Sequence, residues 1–169
     1  MDYINNLEQW MQVNEFPNYM ISSCGRVMNI TTFQFLKPDS SRRYPYVLLY
    51  SNGNRLKKSI HRLVAESFIL NLNNLPCVDH KDRNKLNSHI SNLRWCTRKE
   101  NQQNISKQKN SASIYKGVCF NKDIKKWVSR IYQNNQRIHL GYFLDEVEAA
   151  HAYDLKAKEL FKEFAVLNF

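Results

Sequence analysis

Residues 102–113, Gln-Gln-Asn-Ile-Ser-Lys-Gln-Lys-Asn-Ser-Ala-Ser, are almost wholly polar. Such a run carries too little apolar surface to offset the entropy of ordering it inside a core, so it divides the chain. What lies on either side must bury a core of its own. The spacing predicts a linker over about 102–113 and a C-terminal domain over 109–169.

Before the break the hydrophobic period changes once. Tyr19–Ser22, Val27–Ile30, Tyr46–Tyr50 and Leu56–Ile60 read as short strands, with a turn around Gly25 and Asn52-Gly53 between the last two. Asn-Gly flanked by apolar runs is a strong hairpin signal. From Ile60 to Ile69 the pattern becomes helical, with Leu63, Val64, Ser67 and Phe68 on one face. An N-terminal region over 1–57 and a second unit over 58–108 follow from that change. After the break, Tyr115–Phe120, Lys126–Tyr132 and Arg137–Leu140 are strand-like, and Val147, Ala150, Tyr153, Ala157 and Leu160 form a helical stripe over 145–161. The expected class is α+β: a small β-rich N-terminal region, a ββα unit, and a C-terminal three-stranded antiparallel sheet packed on one helix.

The chain holds 25 Lys and Arg against 15 Asp and Glu, a formal charge of +10. That excess suits a polyanion, whether nucleic acid or an anionic membrane surface. No apolar run is long enough to span a bilayer, and Met1–Trp10, with Asp2 and Glu8, lacks the basic-then-apolar pattern of a secretory signal. The expected location is inside a cell, with reduced cysteines. Cys24, Cys77, Cys96 and Cys119 form no C-x-x-C pair, which argues against a zinc knuckle or a redox motif. Cys77 and Cys96 flank a hairpin that brings them close, yet a reducing interior argues against a bridge.

The stretch with chemistry in it is Cys77-Val78-Asp79-His80-Lys81-Asp82-Arg83-Asn84, then Ser91-Asn92-Leu93-Arg94-Trp95-Cys96-Thr97. Apolar residues bracket a polar loop, as in a hairpin with a long connection. Thr97 with Glu100 three residues on makes a capping box that starts a helix carrying Asn101. Such a unit can gather Asp79, His80, Asn92 and Asn101. Asp79 offers a hard carboxylate oxygen to one divalent metal, Mg²⁺ or Mn²⁺, and Asn101 an uncharged amide oxygen. His80 can take a proton from an attacking water, and Asn92 can accept from its other ring nitrogen and set the tautomer. Neighbouring strand residues face opposite ways, so Asp79 and His80 share a site only if His80 lies where strand breaks into loop. Two other metal readings fail. Asp82–Leu86 lacks the third oxygen ligand and the glycine of a calcium loop, and His80 with His89 is not at zinc-finger spacing. His61 at the start of a helix reads as a packing or capping residue, His151 as a helix-face residue and His89 as a loop residue.

These residues resemble the HNH endonucleases, most closely the homing-type branch of phage introns. The match runs from His61-Arg62-Leu63-Val64-Ala65 through Val78-Asp79-His80-Lys81-Asp82 and Asn92-Leu93-Arg94-Trp95 to Asn101. The resemblance implies a ββα-metal nuclease core with His80 as general base, Asn92 positioning it, and Asp79 and Asn101 holding the metal. Asn101 stands where many relatives have the last histidine. The implied reaction is hydrolysis of a DNA phosphodiester to a 5′-phosphate and a 3′-hydroxyl. One site per chain favours nicking by a monomer, double-strand cutting needing a dimer or rebinding. The phage branch implies a phage or viral gene.

Upstream, Trp10, Phe16-Pro17, Tyr19, Ile21-Ser22 and Gly25-Arg26-Val27 resemble the small modular domain that often precedes such nucleases. Downstream, Tyr115-Lys116-Gly117-Val118, Lys126-Trp127, Leu140-Gly141-Tyr142-Phe143, Ala149-Ala150-His151-Ala152-Tyr153-Asp154 and Leu167-Asn168-Phe169 resemble the Apetala-type DNA-binding domain of plant ethylene-response factors. That family reads the major groove of double-stranded DNA with the exposed face of its sheet. The resemblance points Lys116, Lys126, Arg130, Tyr132, Arg137 and His139 toward DNA. Alternation agrees for the middle strand, placing Lys126, Arg130 and Tyr132 on one face and Trp127, Ser129 and Ile131 on the other. Cys119 and His139 replace the family's usual arginine and tryptophan, so its base preference does not transfer. The rival readings are a DNA-binding regulator that does not cut, and an RNA-binding or RNA-cutting protein.

Overall fold

The computed structural model describes residues 8–51, 53–103 and 113–169. The chain divides into two compact units, Met1–Arg98 and Lys99–Phe169. Most of the expected linker, and Asn52 of the expected turn, lie outside the described residues.

The first unit opens with four antiparallel strands in spatial order β1–β4: β1 (Trp10–Val13), β2 (Phe16–Ser22), β3 (Val27–Asn29) and β4 (Gln34–Phe35). The sequence predicts β3 and most of β2 but neither β1 nor β4. In β1 only Val13 is buried, and both β4 residues are exposed, so neither shows the alternation that marks a half-buried strand. Next comes the predicted hairpin, β5 (Tyr46–Ser51) and β6 (Asn54–Ser59), in register from Tyr46↔Ser59 to Ser51↔Asn54. Helix α1 (Ile60–Phe68) follows at once, starting at Ile60 where the helical pattern begins and ending one residue before Ile69. Its buried set is Ile60, His61, Leu63, Val64 and Ala65, whereas the predicted Ser67 and Phe68 are only partly covered. Then β7 (Cys77–His80) and β8 (Leu93–Cys96) pair from Cys77↔Cys96 to His80↔Leu93, with a 3₁₀ turn over Ile90–Asn92 leading into β8. Cys77 and Cys96 face each other across the ladder as free thiols. Helix α2 (Arg98–Gln103) starts directly after Thr97, with Glu100 in its first turn, and crosses the division between the units.

One core serves this whole unit. Val13, Phe16, Tyr19, Ile21 and Val27 pack with Val47, Leu49, Ile60, Leu63, Val64, Val78 and Leu93. The N-terminal strands and the segment of α1, β7 and β8, which sequence periodicity separates at residue 57, therefore share one core. Gly25 shows how close they come. Its φ of +85° suits glycine, and a Cβ there would stand 3.0 Å from Ser88 Cβ and 3.1 Å from Ile60 Cγ2. Beside it Ile90 N donates to Ser23 O at 2.8 Å.

The second unit is the expected sheet and helix. Strands β9 (Val118–Asn121), β10 (Lys126–Gln133) and β11 (Gln136–Phe143) form an antiparallel sheet in the order β11-β10-β9, covered by α3 (Glu146–Phe161). Asp145 caps α3 by accepting from Val147 N and Glu148 N. The helix buries Ala149, Ala150, Tyr153, Asp154 and Ala157. The predicted Val147 is instead 38% exposed in the first turn. Small alanines let the helix sit low on the sheet. At Gly117, φ +78°, a Cβ would come 2.0 Å from Tyr153 Cδ2 and 2.7 Å from Arg130 O, so only glycine fits. Asp154, buried, accepts from Asn168 N and Phe169 N, and the Asn168 side chain brackets the backbone of Lys116, its Oδ1 accepting from Lys116 N and its Nδ2 donating to Lys116 O. Strand entry and closing segment are thus tied through one carboxylate and one amide.

Candidate active site and nucleic-acid interface

His80 is the last residue of β7, and the polar loop begins at Lys81. This is the position that strand alternation requires, the last of the strand before the loop. Asp79 and His80 are 5% and 4% exposed. Asp79 lies opposite Arg94 in the ladder, and its Oδ2 accepts from Arg94 Nε at 2.9 Å and Nη2 at 2.8 Å. A buried ion pair of this kind is costly to halve, because the partner left behind keeps its charge out of water.

The loop after His80 is braced by its own polar side chains. Asn92 Nδ2 donates to Asp82 Oδ1 at 2.9 Å and Asn87 O at 2.8 Å, and its Oδ1 accepts from Asp82 N at 3.0 Å. Asn84 N and Asn87 Nδ2 also donate to the Asp82 carboxylate, and Lys81 N donates to Asn92 O. The sequence assigns Asn92 to the His80 ring. These bonds give it a further task, holding the loop shut at the end of the strand that carries His80. Hydrogen bonds from Asn87, Asn84 and Asn92 lower the Asp82 carboxyl below its ordinary value against a burial effect that raises it.

Burial pushes His80 below its ordinary 6.5, against the opposing pull of Asp79 and Asp82. His61, which the sequence suggests is an unremarkable packing residue, is the larger surprise. Its ring lies 5.1 Å from that of His80, 7% exposed, and burial, then His80, then Arg62 lower it to about 4. Nineteen positions of sequence separate the two histidines, and only the packing of α1 on β7 joins them. The one available signal was that His61 falls on the buried side of α1.

For a metal, the donor chemistry here is one carboxylate. Two of the Arg94 bonds fall on one oxygen of Asp79, and a carboxylate has about four lone-pair sites. Among the described residues no group of three or more His, Cys, Asp or Glu is placed to hold a metal ion. A hard divalent cation keeps several waters and takes phosphate oxygens beside one or two protein carboxylates. Asn101 lies half-buried on α2, on the second unit's side of the division.

In the second unit, Lys126, Arg137, Tyr132 and His139 are exposed and Arg130 is half-buried, while Ser129 and Ile131 are buried toward α3. Tyr132 pairs with Arg137 and Arg130 with His139, so these four share the outer face. Lys116 precedes β9 in the turn at Gly117, its backbone held by Asn168, outside the strand alternation. A residue the sequence reading missed joins the face. The register shifts between Ser129 and Arg130, so that Leu140 and Gly141 together take one step of the ladder. This bulge reverses the parity of β11 and turns Tyr142 outward, its ring 4.6 Å from that of His139. Val128, Cys119, Arg130, Arg137, His139 and Tyr142 line a shallow cavity of about 350 Å³. The signal was Gly141 inside a strand pattern, which marks bulges.

Two family models match the chain. One, described as HNH endonuclease, covers residues 58–103, and the other, the NUMOD4 motif, covers residues 8–50. The uncharacterized HNH endonuclease L560 of Acanthamoeba polyphaga mimivirus is 30% identical over 148 residues, 81% of this chain and 75% of the relative. The chain belongs to the HNH endonuclease family. A solved structure of DNA binding and cleavage by the HNH homing endonuclease I-HmuI is similar with a TM-score of 0.53 and 34% identity, over 57% of this chain and 56% of that one. The AP2/ERF and B3 domain-containing transcription factor RAV1 of Arabidopsis thaliana is 39% identical over 70 residues, 41% of this chain and 20% of the relative. The chain spans about a quarter to a half of the first curated relatives it matches, 26% of mimivirus HNH endonuclease L245 and 51% of H-N-H endonuclease F-TflII of Escherichia phage T5.

Proposed function

We propose that the protein is a homing-type DNA endonuclease that depends on one divalent metal and hydrolyses a phosphodiester bond in double-stranded DNA, with the outer face of its C-terminal sheet gripping the target. The observation that carries the reading is a buried imidazole at a strand end, braced by a hydrogen-bonded loop, next to a buried carboxylate. His80 is pushed below 6.5, so its ring is neutral at pH 7 and able to accept the proton of an attacking water. Asp79 and Asn101 are the residues that would hold Mg²⁺ or Mn²⁺, and the ion would stabilise charge on the phosphate and the leaving oxygen. Asn92 keeps the loop, and with it His80, in place. On the second unit, Lys126, Arg130, Arg137 and Lys116 supply positive charge for phosphates, and Arg130, Arg137, His139, Tyr132 and Tyr142 supply groups that can meet base edges. The charge of +10 and the likeness to RAV1 support that grip. A monomer with one site nicks, and dimerisation would give double-strand cuts. The phage and mimivirus relatives support a viral or phage gene acting inside a cell. No helix among the described residues is long and apolar enough to cross a membrane.

The test is cleavage of a randomised duplex library by the full chain and by His80→Ala, with Mg²⁺, Mn²⁺ or excess chelator. Metal-dependent cuts at enriched sites, absent in His80→Ala, are expected. Enrichment of bound sequences with no cutting under either metal would instead make the protein a DNA-binding regulator.

A further inference from the structure

The segment before β5 brings a third ring to the two histidines. The Tyr44 ring stacks on His80, centroids 5.8 Å apart and planes at 21°, and packs on His61 at 4.6 Å. With His61 and His80 at 5.1 Å, the three close a triangle. Each comes from a different element: Tyr44 from the strap before β5, His61 from the first turn of α1, His80 from the end of β7. The strap is fixed by its backbone. Pro45 O accepts from Ile60 N at 3.0 Å, and Asp39 and Tyr46 exchange both backbone hydrogen bonds. Arg43 and Lys85 stand 5.7 and 5.8 Å from the Tyr44 centroid, so the stack is held on the flanks as well.

A histidine side chain has a soft outer torsion with a broad, roughly two-fold profile, so the orientation of its ring is set by what packs on it. We infer that Tyr44, backed by His61, is a positioning residue that fixes the ring orientation from which His80 takes up its proton. The inference rests on the nuclease reading of His80 above. It places a residue of the N-terminal segment, 36 positions before His80 in the chain, against the proposed base. It also assigns the work to the flat ring of Tyr44. Phenylalanine should therefore serve in its place, and a branched aliphatic side chain of similar bulk should not.

The experiment compares full-length wild type, Tyr44→Phe and Tyr44→Leu by steady-state cleavage and by NMR of the histidine ring protons, with the His80 signals assigned from His80→Ala. In Tyr44→Leu the His80 ring protons should lose the ring-current shift of the stacked tyrosine. Turnover should fall by about 10- to 100-fold, as expected for a slight misplacement of a reacting group, with KM nearly unchanged. Tyr44→Phe should keep both the shift and the rate. In wild type alone, nuclear Overhauser contacts between the Tyr44 and His80 rings are expected, and their absence overturns the inference even if the leucine variant does not fold. Unmoved His80 signals in Tyr44→Leu, or moved signals with an unchanged turnover, also overturn it. If wild type never cuts, the nuclease reading fails by itself, and the NMR comparison still decides whether Tyr44 orients His80.

Discussion

His61 makes the first unit sensitive to acid in a way that can be worked out in advance. Its imidazole, 7% exposed, is lowered from 6.5 to about 4 by burial, by His80 and by Arg62. The folded value lies below the unfolded one, so between those two pH values the unfolded chain holds a proton that the folded chain does not. Stability from this group is thus complete above about pH 6.5 and is lost as the pH falls toward 4. Each pH unit in that gap is worth about 1.4 kcal/mol, giving a full loss of about 3 kcal/mol, of which about 2 kcal/mol is reached by pH 5. His80, shifted in the same direction, adds to the loss. Other groups titrate in this range too, so the measurement is a difference. Urea unfolding of wild type and His61→Phe, followed by tryptophan fluorescence, should be compared at pH 7 and pH 5. Trp95 reports on this core, its Nε1 donating to Ile69 O at 2.8 Å. Phenylalanine keeps a ring at the site and cannot take a proton. It also removes a buried Nδ1 that has no hydrogen-bond partner among the described residues. The wild type should lose about 2 kcal/mol more than the variant on going to pH 5. Parallel losses in the two proteins would refute the reasoning.

Three further outcomes follow from the geometry. Arg94→Met, which strands the Asp79 carboxylate in the ladder, should cost about 3 kcal/mol or more in chemical unfolding, and a change under 1 kcal/mol would show the pair to be dispensable. On the second unit, Arg137→Ala should weaken duplex binding and lower the slope of log affinity against log salt by about 1, whereas Tyr142→Ala should weaken binding with the slope unchanged. A Tyr142→Ala protein that binds as wild type does would remove Tyr142 from the interface. Gly117→Ala should destabilise the second unit by well over 1 kcal/mol, since its Cβ would overlap the Tyr153 ring, and a melting temperature equal to that of wild type would contradict that packing.

Much of this fold was legible where residue pattern and backbone chemistry agree. Asn52-Gly53 between apolar runs announced the β5–β6 hairpin, and the alternation of Lys126, Arg130 and Tyr132 against Ser129 and Ile131 announced the two faces of β10. The edge strands β1 and β4 stayed hidden because they bury almost nothing. Two features depended on tertiary structure alone. The Tyr44, His61 and His80 cluster forms only when three separate elements pack, and no spacing rule links its members. Tyr142 could not be placed on the outer face by simple alternation, because one bulge at Leu140-Gly141 shifts the parity of all that follows in β11. The core shared across residue 57 stayed hidden for a related reason. A change of hydrophobic period marks a change of element and does not show whether the elements share a core.

The contact of Gly25 and Ser23 with Ser88 and Ile90 sets where such a protein can be recombined. A chimera joined at residue 57 would separate the turn of one parent from the loop of the other, and any Cβ or shape mismatch at that 3.0 Å approach would be carried through the loop to His80. The first unit should be grafted together with all of α2, which carries Asn101, and a swap of target specificity belongs after Gln103, where the nuclease match ends.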